Sequence, residues 1–139
     1  CIVPSTGFFE WKHLGKEKIP FFIYPSSELH FSMAGIFDHW VEPLTGRTIR
    51  SFSILTTEAN QLMCEIHNTK MRMPVIFFPD QENEWMEGKL KTNDIQVPVP
   101  DSLMNAREVS KKRLISPNCN VREAQEAYNN GIGKQGSLF

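Results

Sequence analysis

Gly7-Phe8-Phe9-Glu10-Trp11-Lys12, followed after a Gly15/Lys16 break by Pro20-Phe21-Phe22-Ile23-Tyr24, decides the architecture. Aromatic and β-branched residues in runs this short favour strands, and the Gly/Lys break between them reads as a turn. Working outward, His30 to Trp40 (HFSMAGIFDHW) is a third extended run. Gly35 inside it signals a bulge or a close backbone approach. Pro43 to Gly46 is a turn, and Arg50 to Thr56 alternates polar and apolar residues as a half-buried strand does. Ala59, Leu62, Met63 and Ile66 then fall at i, i+3, i+4 and i+7, which predicts a helix capped by Thr56 or Thr57 and ending near His67 and Asn68. Met73 to Phe78 reads as a buried strand closed by Pro79, and Glu82 to Leu90 as a short helix around Trp85. Residues 93–139 are rich in Pro, Ser and Asn and are expected to be tail-like, with one apolar piece at Ile95 to Val99. The class is α+β: a β-rich single domain over residues 1–139, with a curved sheet or partial barrel and a few helices.

At 139 residues the chain has room for one domain, and 40% apolar with 22% charged residues argues against disorder or a simple coiled coil. Fifteen Lys and Arg against sixteen Asp and Glu exclude a wholesale basic coat, though not a local basic groove. No run of about 18 apolar residues is present, so no helical membrane span is expected. Cys1, Cys64 and Cys119 lie far apart without CxxC spacing, so neither a zinc site nor a disulfide framework is expected, and no cofactor is called for. Odd, scattered thiols fit a reducing compartment. The chain opens on Cys1-Ile2-Val3-Pro4 without an initiator Met or a charged leader, and is read as processed or as lacking its first elements.

Glu10 is a carboxylate set among large rings. If it turns inward it is a candidate for proton transfer; if the strand simply alternates with Phe9 and Trp11 inside, it faces solvent. His67 sits at the predicted helix end, either as a proton donor or as a cap on the last carbonyls. His13, His30 and His39 have no partner at telling spacing and read as structural. Cys1 carries a thiol and an α-amine on adjacent carbons, a pair able to form an imine with an aldehyde and then close a thiazolidine ring. Its alternative is a small core residue. Lys70, Arg72 and the cluster Arg107, Lys111, Lys112 and Arg113 are candidate phosphate contacts, and Trp11 is a candidate stacking platform for a nucleobase.

Jointly, CIVPSTGFFEWK (residues 1–12), PFFI (20–23), AGIFD (34–38), SFSILTTEAN (51–60), Ile66-His67 and RMPVI (72–76) resemble the SOS response-associated peptidase (SRAP) family. The stretches recur in family order over residues 1 to about 80, while the last forty resemble it faintly, mainly at Val109-Ser110. The resemblance implies a β-rich α+β domain with a basic cleft for single-stranded DNA. It also implies an abasic-site processing protein, one that shields such sites through a thiazolidine crosslink to an N-terminal cysteine and carries autoproteolytic peptidase activity. In that pattern Glu10 is the catalytic carboxylate of GFxEW, His67 helps open the sugar ring and shuttles protons, and Arg72 meets a DNA phosphate.

Two departures stand out. Cys1 matches a non-catalytic family cysteine just upstream of GFxEW, so the nucleophile is read as lying outside this chain. The loop from His67 to Arg72 is also longer than the compact HxRMP form. An extended path would set Cys1 roughly 30 Å from Glu10, unless Pro4 to Gly7 reverses the chain. The chain alone is therefore expected not to crosslink. Two other readings remain: a non-catalytic single-stranded DNA-binding module, and a cysteine peptidase pairing Cys64 with His67. The expected state is a monomer whose partner is single-stranded DNA with abasic sites, with no membrane or metal partner. The expected location is cytoplasmic in a bacterium or nuclear in a eukaryote.

Overall fold

In the computed structural model, which describes residues 1–128, β1 (Ile2–Ser5) leads into the turn that the aromatic stretch requires. The Ser5 hydroxyl accepts the Gly7 N–H at 3.2 Å. A Cβ at Gly7 would lie 2.3 Å from the Ile23 carbonyl oxygen and 2.4 Å from the Phe22 ring, so only glycine fits this corner. The aromatic hairpin follows as expected: β2 (Phe8–Leu14) pairs antiparallel with β3 (Glu17–Pro25), Phe8 opposite Ile23 and Glu10 opposite Phe21.

Next comes β4 (Phe31–Val41), which pairs with β1 on one side and β5 (Thr48–Ile54) on the other. The close approach signalled by Gly35 is present, since a Cβ there would lie 3.0 Å from Cys1 Sγ and 3.1 Å from the Ser53 carbonyl oxygen. Two short strands follow in β6 (Thr56–Glu58) and, after helix α1 (Gln61–Ile66), β7 (Arg72–Pro74), which pair with each other. β8 (Ile76–Phe77) joins β4 at Ser32 and Met33. Helices α2 (Pro79–Met86) and α3 (Thr92–Ile95) come next, and β9 (Met104–Glu108) completes the sheet β2-β3-β9. α4 (Lys111–Leu114) precedes a last helical turn at Arg122–Gln125. The architecture is mixed and sheet-rich with few helices, and no closed barrel forms among the described residues.

The main core gathers Ile23, Phe31, Met33, Met63, Ile66, Met73 and Met104 between the two larger sheets and α1. A second cluster, Ala34, Val75, Phe77 and Ile95, sits under Trp85. Apart from Ala34, each such side chain contributes about 1.5–3 kcal/mol of apolar burial.

Five expectations change. α1 starts from Asn60, not Thr56 or Thr57: the Asn60 side chain accepts the Met63 N–H at 2.9 Å, while both threonines lie in β6. The Met73 to Phe78 run is two strands, because Val75 breaks off to bond Leu55 and Ala34 by its backbone. The helix expected at Glu82 to Leu90 starts three residues earlier and ends four residues earlier, with Pro79 in its first turn. β5 is exposed at every residue, since alternation reveals a strand but not whether anything covers it. Residues 93–128 are no tail: Ile95, Val99, Met104 and Val109 are buried and β9 is hydrogen-bonded to β3. The rest of the stretch expected to be tail-like, residues 129–139, lies outside the described residues.

Candidate active site

Phe8 and Phe21 pack on the main core. Glu10, two residues after Phe8 and opposite Phe21, shares their face by the period-2 alternation of a strand. Of the two readings of Glu10, the inward one holds, and Phe9 and Trp11 lie on the other face. The carboxylate sits at the margin of the core, its side chain 25% exposed. One oxygen accepts the Trp11 N–H at 2.8 Å, and the other lies 3.6 Å from His67 Nδ1.

His67 reaches that point because α1 ends there. Its N–H donates to the Met63 carbonyl at 2.7 Å, so it is the C-cap, and its ring turns toward β2 and β7. His67 Nδ1 is 2.9 Å from the Arg72 carbonyl oxygen. A carbonyl only accepts, so Nδ1 carries a proton, and Nε2 is left as a base in the neutral ring or an acid in the imidazolium. A carboxylate and an imidazole so placed can pass protons at one substrate atom.

Arg72 thus joins the site through its backbone. Its guanidinium donates to Thr56 Oγ1, beside a polar cleft of about 480 Å³ lined by Thr56, Thr57, Glu58, Arg72 and Gln96. Lys70 is exposed on the loop between His67 and Arg72. Trp11 is half-buried, and its backbone N–H holds Glu10 in place.

The basic cluster is not uniformly available. Arg107 stacks over Tyr24 at 4.6 Å and Phe22 at 5.3 Å and donates to the Gln125 carbonyl, while Arg113 reaches Glu123 and Glu126. Lys111 and Lys112 line a separate cleft with Glu17, Lys18 and Glu108.

The cysteines fall elsewhere. The chain bends between Ser5 and Gly7, and β1 lies in the sheet of β4 and β5, not beside β2. There the Cys1 amine donates to Gly35 O at 2.9 Å, and its carbonyl accepts from Trp85 Nε1 at 2.8 Å. The Cys64 thiol points to the Ala59 carbonyl at 3.6 Å, the packing contact of a helical cysteine rather than a partner for His67.

Asn60 and Asn68 were not legible as site supports. Asn60 caps α1 and donates to the Val99 carbonyl at 2.9 Å. Asn68 bonds the backbone of His13, its amide oxygen accepting at 3.1 Å and its nitrogen donating at 2.9 Å. An Asn just before an apolar stripe was an available signal for the first. The second depends on a contact across 55 residues, which no local pattern reveals.

The family model for SOS response associated peptidase (SRAP) matches residues 1–113. The abasic site processing protein YoaM of Bacillus subtilis is 37% identical over 134 residues, covering 93% of this chain and 57% of YoaM. The abasic site processing protein HMCES of Xenopus tropicalis is 32% identical, covering 68% of this chain and 33% of HMCES. A crystal structure of a Bacteroides thetaiotaomicron protein superposes with a TM-score of 0.84 at 41% identity, covering 93% of this chain and 56% of that one. The chain therefore spans a third to somewhat over half the length of these relatives.

Proposed function

We propose a function from one premise: the chain belongs to the SOS response associated peptidase family. Relatives that bear the name abasic site processing protein make DNA the partner, and our reading is that this chain acts on abasic sites in single strands. The observation that carries it is the 3.6 Å approach of Glu10 to His67, two proton-transfer groups from sequence-distant segments at one corner.

An abasic sugar is a cyclic hemiacetal. Opening it takes a proton from the C1 hydroxyl and gives one to the ring oxygen, leaving an aldehyde. Glu10 and His67 supply the base and the acid for that exchange. The aldehyde then condenses with the amine of a 1,2-aminothiol, losing water to give an imine. Addition of the thiol across the C=N bond closes the thiazolidine, the thiol proton going to nitrogen. Cys1 is not taken as that aminothiol, because its amine is bound to the Gly35 carbonyl in the sheet of β4 and β5. Arg72 and Lys70 meet backbone phosphates and Trp11 stacks on a flanking base.

Free cysteine, itself a 1,2-aminothiol, gives a direct test. A single-stranded oligonucleotide with one abasic site is incubated with free cysteine, with and without the protein, and thiazolidine formation is followed by mass spectrometry. The protein is expected to accelerate trapping, and Glu10→Gln or His67→Ala to reduce that acceleration by about tenfold or more. Equal trapping with and without the protein would refute the reading. A protein–DNA adduct lost in Cys1→Ala would instead make Cys1 the nucleophile.

A further inference from the structure

We propose that Asn68 is a positioning residue whose carboxamide clamps the loop after His67 to the free edge of β2 and so sets the approach of His67 to Glu10. The proposal rests on the reading of Glu10 and His67 as the site pair. β2 is an edge strand, since the sheet order is β2-β3-β9. Its alternate backbone groups on the open side, at Trp11 and His13, would otherwise be left to solvent. Glu10 covers the first by accepting the Trp11 N–H, and Asn68 covers the second.

The Asn68 contact is two-pronged and imitates a neighbouring strand. Its Oδ1 accepts the His13 N–H at 3.1 Å, and its Nδ2 donates to the His13 carbonyl at 2.9 Å. Two opposed hydrogen bonds from one planar group fix direction as well as distance. Glu10 and His13 are three residues apart on β2, and His67 and Asn68 are neighbours at the end of α1. The clamp and the catalytic approach are therefore parallel rungs between the same two segments.

Little else ties that loop to β2. Among the described residues, the hydrogen bonds between the His67–Arg72 loop and β2 are the two made by Asn68. Thr69, Lys70 and Met71 are exposed, and Met71 holds a left-handed φ of 51°. The loop closes on itself through Met71 N–H to the His67 carbonyl at 2.9 Å, a contact that does not reach β2. The longer His67–Arg72 loop thus carries its own registration device.

The test uses nuclear magnetic resonance on the full 139-residue chain, reading the nuclear Overhauser contact between the Glu10 γ protons and the His67 ring, and the nitrogen shifts that report the His67 tautomer. Asn68→Ala is expected to abolish the contact and mix the tautomers. His13→Ala, which keeps the backbone groups Asn68 uses, is expected to change neither. Ile95→Ala, in the second core cluster under Trp85 and away from the corner, is expected to lower stability while leaving both signals intact. In the cysteine-trapping assay Asn68→Ala is expected to slow the protein-dependent rate by about tenfold while affinity for the strand stays within about twofold. An Asn68→Ala protein that is only less stable, with contact, tautomer and rate retained, would overturn the proposal. Lost NMR signals with no trapping by the wild type would uphold the clamp and remove the functional reading instead. Should Asn68→Ala fail to fold, hydrogen exchange in the wild type decides: the His13 amide is expected to be protected, and exchange at the rate of a free loop amide would overturn the clamp.

Discussion

The corner where β2 meets the end of α1 and the outer half of the β4–β5 hairpin are both drawn from aromatic, strand-forming sequence, yet they end in opposite environments. At the corner, Phe8 meets Phe31 edge-on with centroids 6.2 Å apart, Phe9 meets Phe22 at 5.1 Å, and His67 and Asn68 arrive from 55 and more residues away. In the hairpin, Phe37 and Phe52 face each other across the strands, 63% and 60% exposed, with Ile36, Trp40 and Val41 exposed beside them. β4 runs through both worlds: Phe31 to Gly35 are buried and Ile36 to Val41 are not. Strand propensity and cross-strand pairing suffice to draw a hairpin, but burial requires a second layer, and only the corner has one.

The sharpest way to break the comparison is to truncate the same residue type at both ends of β4. Phe31→Ala, at a site with no exposure, is expected to cost about 3–5 kcal/mol in urea unfolding. A loss below about 1 kcal/mol would show the inner half to be no better packed than the outer. Asn60→Ala removes the α1 cap and orphans the Val99 carbonyl, and is expected to cost about 1–3 kcal/mol by the same measurement. Met71→Gly tests the loop beside the site. Relief of a left-handed non-glycine residue, offset by glycine's extra unfolded-state freedom, is expected to raise stability by about 0.5 kcal/mol, and a clear loss would show that the Met71 side chain has a packing role. Phe37→Ala, in the outer half, is expected to change stability by less than about 0.5 kcal/mol. A cost near that of Phe31→Ala would mean that the hairpin is covered in solution.

These contrasts also explain which parts were legible. The β2–β3 hairpin and α1 were readable because each announces itself within a dozen residues, one by aromatic runs and the other by an apolar stripe at helical spacing. The exposure of β5 was not, because alternation constrains two faces without saying what lies against either. The apolar piece Ile95 to Val99 is visible in the sequence, but its burial with Met104 and Val109 is not, because short apolar pieces among Pro and polar residues carry no sustained periodicity and only the folded chain collects them into the core. Glu10 and His67 were singled out by chemistry and by resemblance to a family motif, but their meeting rests on tertiary contact. Asn68 had no local signal at all, since what it grips is backbone.

Under the proposed function Glu10 and His67 act on the abasic sugar as one unit. The most direct measurement is a double-mutant cycle on the protein-dependent rate of cysteine trapping, comparing Glu10→Gln, His67→Ala and the pair. A shared proton-transfer unit predicts that the double variant is no slower than the worse single one. Losses that multiply, or single variants as fast as the wild type, would contradict it.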